Sequence, residues 1–103
     1  MASGRLGVAA PAANTFTTLY TAPADKVATV NISVLNRGQA AARVIVAASL
    51  TDAPELAEYI EDCEVPGRGG VLERTAVVLS AGERVVVHAA AADCSVRIHG
   101  FEE

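Results

Sequence analysis

The chain has 103 residues, a net charge of −4 and 51% hydrophobic residues, yet only 4% aromatics and no Trp. One domain is expected at this length, and an apolar fraction made mostly of Ala and Val builds thin layers rather than the bulky walls of a deep ligand site. The basic residues (Arg5, Lys26, Arg37, Arg43, Arg68, Arg74, Arg84 and Arg97) stand singly, which argues against the clustered cations of a nucleic-acid binder. No apolar run approaches the ~20 residues of a membrane span. Residues 1–11 hold one Arg and no sustained apolar core, so neither a membrane partner nor signal-peptide export is expected.

In chain order, residues 1–14 are Ala/Gly-rich with Leu6 and Val8 as isolated apolar anchors, predicting a flexible arm that orders only against a partner. The run 15–22 is rich in β-branched and aromatic residues, and Phe16 and Tyr20 share a parity that directs both to one face of a strand. Pro23-Ala24-Asp25-Lys26 reads as a turn. In 27–36, Ala28, Val30, Ile32 and Val34 alternate with Thr29, Asn31 and Ser33, the pattern of a half-buried strand. Asn36-Arg37-Gly38-Gln39 reads as a turn into a further strand over 41–50, so that 27–50 is expected as a hairpin.

The stretch 52–62 has weak helix character, with Asp52 as a cap, Pro54 in the first turn and Leu56 and Ile60 four apart. A single helical turn or an extended connector both fit it. A flexible loop is expected over 66–70, then a second hairpin from 71–79 and 84–89 around Ser80-Ala81-Gly82-Glu83. The last strand, 94–101, again alternates. These runs predict an all-β chain: a small antiparallel β-sandwich of six to eight strands, Ig-like or jelly-roll-like, spanning 15–103 behind the arm.

The chemistry is sparse. His88 and His99 are the only histidines, and without a third ligand at supporting spacing they are expected as strand-surface or interface side chains, with no metal. Glu55, Glu58, Glu61, Asp62 and Glu64 line one segment, which reads as a solvated charged face rather than paired catalytic carboxylates. Gly67-Arg68-Gly69-Gly70 leads into a strand, whereas a phosphate cradle leads into a helix. Asn31-Ile32-Ser33 matches a glycosylation sequon but falls mid-strand. Cys63 and Cys94 lack metal-type spacing and are expected as free thiols, a disulfide being the alternative. No nucleophile frame surrounds any Ser or Thr. The expectation is a non-enzymatic chain with no catalytic, cofactor-binding or metal-binding residues.

Several phrases carry a resemblance: Leu19-Tyr20-Thr21-Ala22-Pro23-Ala24-Asp25-Lys26 running into Val-Ala-Thr-Val and the Asn36-Arg37 turn; Glu58-Tyr59-Ile60-Glu61; Gly70-Val71-Leu72-Glu73-Arg74-Thr75; Leu79-Ser80-Ala81-Gly82-Glu83-Arg84-Val85-Val86-Val87; and Ser95-Val96-Arg97-Ile98-His99-Gly100-Phe101-Glu102-Glu103. From about residue 15 onward the chain resembles small virion structural proteins of tailed bacteriophages. The resemblance implies an accessory particle protein present in many copies, most simply a capsid decoration (cement) protein, with tail, neck or baseplate as the alternative position. It implies a virion location after assembly in the host cytoplasm. The partners it implies are the chain itself, as a homotrimer or other homo-oligomer, and the major capsid protein or other virion proteins. Leu6, Val8 and Phe101 are the candidate partner-binding residues. A carbohydrate- or receptor-binding module is the competing class and predicts exposed aromatics on one face.

Overall fold

The computed structural model describes residues 3–103. Its strands are β1 (Ser3–Ala9), β2 (Phe16–Thr21), β3 (Ala28–Asn36), β4 (Ala42–Ser49), β5 (Tyr59–Val65), β6 (Gly70–Leu79), β7 (Arg84–Ala89) and β8 (Cys94–Glu102), with one 3-10 turn, Leu56–Glu58, before β5. The first half of the chain lies antiparallel on the second in nested pairs, β1 with β8, β2 with β7, β3 with β6 and β4 with β5. Pairing of β3 with β8 and of β4 with β7 then completes two four-stranded sheets, β1-β8-β3-β6 and β2-β7-β4-β5. This is the strand order of a jelly roll, not of an Ig-like sandwich. The all-β sandwich expected from the sequence is present, with eight strands.

The core between the sheets is built by alternation. Ala28, Val30, Ile32 and Val34 of β3 are buried, as are Val96 and Ile98 of β8, Val44 and Val46 of β4, and Val85, Val87 and Ala89 of β7. Branched side chains are stiff at χ1 and pack well on a pleated surface. They are short, however, and Tyr20 is the one aromatic in the core cluster. The four central strands pair with one another without interruption. Each outer strand instead carries a bulge, at Leu6 in β1, Leu19 in β2, Ile60 in β5 and Thr75/Ala76 in β6. Three of these extra residues, Leu6, Leu19 and Ile60, are half-buried against the core. A bulge places two residues opposite one, so at these three margins an additional long aliphatic turns inward, where a Val/Ala layer leaves most space.

Several sequence expectations are corrected. The segment 1–14 is not a free arm: Ser3–Ala9 pairs along β8, and Gly7 packs so closely on β2 that a Cβ there would lie 2.5 Å from the Leu19 carbonyl oxygen. Residues 1–2 of the expected arm lie outside the described residues. Neither expected hairpin forms. β3 and β4 belong to opposite sheets, as do β6 and β7, because alternation marks strands without saying which strands pair. The stretch 52–62 is a single helical turn that runs into a strand not expected from the sequence, Tyr59–Val65, which pairs with β4. Its cap is Glu55 in a capping box with Glu58, not Asp52. Phe16 and Tyr20 do not share a face: the bulge at Leu19 turns Tyr20 into the core and leaves Phe16 outside.

Polar ties hold the layers together. The Tyr20 hydroxyl of β2 donates to Glu102 Oε2 of β8 at 2.5 Å, bridging the sheets, and across the opposite opening Arg74 of β6 meets Glu61 of β5 at 2.7 Å. Asn36, at the end of β3, is completely buried. Its Nδ2 donates to the Ala40 and Val65 carbonyls, both at 3.0 Å, while its Oδ1 accepts from the Gly38 N–H at 2.9 Å. One side chain thus fastens the 36–40 turn to the end of β5.

Asn36→Ala leaves one buried donor and two carbonyls without that partner. A loss of about 3 kcal/mol is expected, a fall in Tm of roughly 10–20 °C for a domain of this size, read by calorimetry; a shift of only a degree or two would contradict the pinning role. Burial, then the hydrogen bond and charge of Glu102, raise the Tyr20 hydroxyl well above its usual value of 10.0. The folded protein therefore keeps this proton where the unfolded chain loses it. The contribution is complete below pH 10 and declines as pH rises further. Thermal unfolding from pH 8 to 11.5 should show a steeper alkaline fall in the wild type than in Tyr20→Phe, which should cost about 1–2 kcal/mol at neutral pH.

Candidate interaction surface

Among the described residues no cavity opens, no three His, Cys, Asp or Glu side chains converge as metal ligands, and no helix is long and apolar enough to cross a membrane. His88 lies on β7 and His99 on β8, strands of different sheets. Their registers set both on outward faces, beside Phe16 and Ile45 for His88 and beside Arg5 and Asn31 for His99. The thickness of the sandwich separates them, so they do not share a ligand. Cys63 on β5 and Cys94 on β8 are likewise in different sheets, and both are free. Burial raises the Cys94 thiol above its usual pKa.

The acidic segment is taken up by local partners. Glu58 Oε1 accepts from the Glu55 N–H at 2.9 Å and from Ser49 Oγ at 3.1 Å, and the backbone bond is the main cause that holds this carboxyl below its usual pKa. Asp62 takes Arg43 in a two-pronged pair at 2.8 and 2.7 Å, which lowers it as well. Asp52 accepts from Thr18 at 2.5 Å and from Arg84 at 2.7 Å, and the Thr18 bond leads the lowering there. The glycine-containing loop after β5 has its amides committed too. The Arg68 N–H donates to the Gly38 carbonyl at 2.6 Å and the Gly69 N–H to the Asn36 carbonyl at 2.9 Å, with Arg68 and Gly69 at φ 59° and 92°. Asn31 of the sequon accepts from the Ala76 N–H at 2.9 Å, inside the β6 bulge.

The two outer faces differ. On β2-β7-β4-β5, Ile45, Ala47 and Val86 point away from the inter-sheet core and are nonetheless buried. Phe16 and Tyr59 reach across them from the two margins, with ring centroids 6.2 Å apart, and Phe16 lies 4.9 Å from the His88 ring. The segment between β4 and β5 crosses the same face, fastened by Asp52 to Thr18 and Arg84. Small side chains at Ala47 and Val86 let this cover lie close.

The outer face of β1-β8-β3-β6 has no such cover from its own chain. Val8, Val71, Val78 and Phe101 are 56%, 51%, 64% and 40% exposed, and their registers set all of them on this face. Of the residues singled out in the sequence, Val8 and Phe101 therefore meet here, while Leu6 is half-buried against the core and is corrected as a surface anchor. Val71 and Val78 were not legible as a pair. Seven positions apart, they have opposite strand parity, and only the bulge at Thr75/Ala76 returns Val78 to the outer face.

Between these apolar positions run Thr29, Ser33 and Ser95 with the charged Arg5, Arg97 and Glu73. None of the three charged groups is in an ion pair among the described residues. The surface combines scattered aliphatic contact with isolated charge, a composition suited to a protein partner. No protein-family model, characterised protein or solved structure matches this chain.

Proposed function

We propose that this chain is a structural, non-enzymatic component of a tailed-phage particle, a decoration protein carried in many copies on the head, where it binds itself and the major capsid protein. The run of phrases from Leu19 to Glu103 that resembles such proteins is the observation that carries the reading. The open face of β1-β8-β3-β6 supports it, because exposed Val8, Val71, Val78 and Phe101 gain burial only against another protein. A Val/Ala core supports it too, since a domain with thin layers gains stability from each further apolar area that assembly covers. Tail, neck or baseplate is the alternative position within the same class.

A carbohydrate- or receptor-binding module is a second reading. The ring pair of Phe16 and Tyr59 on β2-β7-β4-β5 favours it, since flat aromatic surface stacks on the apolar faces of sugars.

Purified particles of the phage that encodes this chain should contain on the order of hundreds of copies, measured by quantitative gel staining or particle reconstruction. About a dozen copies or fewer would move the chain to the neck or baseplate, and its absence from particles would sink the structural reading. For the second reading, NMR titration with neutral oligosaccharides should shift the Phe16 and Tyr59 ring signals first; unchanged rings at millimolar sugar would remove it.

A further inference from the structure

The rows of the open face are self-complementary. Ser33 of β3 pairs with Arg97 of β8 on one side and with Glu73 of β6 on the other, so the cation and the anion lie in one row with β3 between them. Thr29 likewise has Phe101 on one side and Val78 on the other. In both rows β8 contributes one member of a natural contact and β6 the other, and within a single chain the intervening strand keeps them apart. A rotation that laid β6 of one copy against β8 of another would bring both pairs together.

We propose that two copies of this chain associate face to face through the outer surface of β1-β8-β3-β6, about a two-fold axis running parallel to the strands over β3, the strand midway between β8 and β6. The rotation exchanges left and right across the sheet and leaves each row at its own height. Arg97 of one copy then reaches Glu73 of the second, Phe101 packs on Val78 of the second, and each contact occurs twice, as an isologous interface requires. Strand directions of the two copies stay roughly aligned, the usual geometry when twisted sheets stack.

Charge elsewhere permits this arrangement. The same axis sets like ends of the two copies side by side, and the end holding the β4–β5 and β6–β7 connections is acidic through Asp52, Glu55, Glu58 and Glu83, with Glu102 of β8 turned inward to the Tyr20 hydroxyl and Glu103 following it. Those connections belong to the layer behind the open face or reach towards it. With layers spaced by about 10 Å, the two rear sheets stand roughly 30 Å apart, several Debye lengths at physiological salt.

The area sets the strength. The three overlapping strands, β8, β3 and β6, spaced by ~4.8 Å and with nine residues rising ~3.3 Å each, give a contact of about 430 Å² per copy, the size of a weak, transient interface once both sides are counted. A dissociation constant on the order of 10 μM is expected in solution, tightened in an assembly where many copies are held together.

The proposal deepens the self-association part of the functional reading and rests on that part alone. Its test uses the purified chain, so it is separate from the copy number in particles. Sedimentation equilibrium from 1 to 500 μM should give a monomer–dimer equilibrium. Glu73→Arg and Arg97→Glu should each weaken it at least about tenfold, and the double variant Glu73→Arg/Arg97→Glu should return to within a few-fold of wild type. Val78→Asp should abolish the dimer, and circular dichroism with thermal unfolding checks that each variant remains folded. A chain monomeric at 500 μM, a trimer, a dimer indifferent to Val78→Asp, or a charge swap that fails to restore association in folded protein would overturn the proposal.

Discussion

The shallowness of the interior governs the rest of this fold. An inter-sheet layer of Ala, Val and Ile brings two sheets close together but leaves little side-chain volume to close the margins, where the sheets diverge as they twist. The bulges at Leu6, Leu19 and Ile60 answer that constraint by adding an inward-pointing aliphatic at three of the four margins. The fourth, β6, has Arg74 reaching across to Glu61 instead. The Tyr20–Glu102 bond does a related job between β2 and β8. Because β1 to β4 pair with β8 to β5 in nested order, neither half of the chain can bury its apolar face alone, and the layer forms only when both halves are present.

What the sequence revealed follows from the same physics. The alternation in β3 was readable because that strand is central and regular, with Ala28, Val30, Ile32 and Val34 all facing one layer. β5 was not readable, because an outer strand facing solvent can carry Glu61, Asp62 and Glu64, and charges of that kind guard exposed edges. β1 was hidden for a similar reason: Gly4 and Gly7 give no strand-like signal, although Gly7 allows close approach to β2. Asn36 reads as a turn former, and the chain does turn there, yet its side chain is buried. Its three bonds replace backbone partners that a turn leaves open. Pairing itself was out of reach, since neighbouring strands in the chain pass to opposite sheets.

The bulges also explain why the candidate surface was only half legible. Phe101 lies on β8, whose alternation could be followed along the strand, so its outward direction was available from parity, whereas Val8 stood out only as an apolar residue of the expected arm. Val71 and Val78 required knowledge of one inserted residue opposite Asn31. A single bulge reassigns every side chain beyond it to the other face. A correct strand prediction over 71–79 therefore does not by itself say which of its side chains share a face. The same error separated Phe16 from Tyr20 across the bulge at Leu19.

Those interruptions bear on how the molecule can meet others. An open sandwich exposes four strand edges, each a row of unpaired backbone groups that would accept a strand from another chain. Here every one of the four is bulged, while the inner ladders β3–β8 and β4–β7 are regular. A bulge twists the edge and breaks the spacing that an added strand needs, so extension of either sheet is disfavoured at all its margins. Association is thereby directed to the faces. One face is already occupied by Phe16, Tyr59 and the Asp52 segment. The other presents Val8, Val71, Val78 and Phe101 around Arg97 and Glu73, and it is the surface through which a sandwich with guarded edges can still bury apolar area against a neighbour.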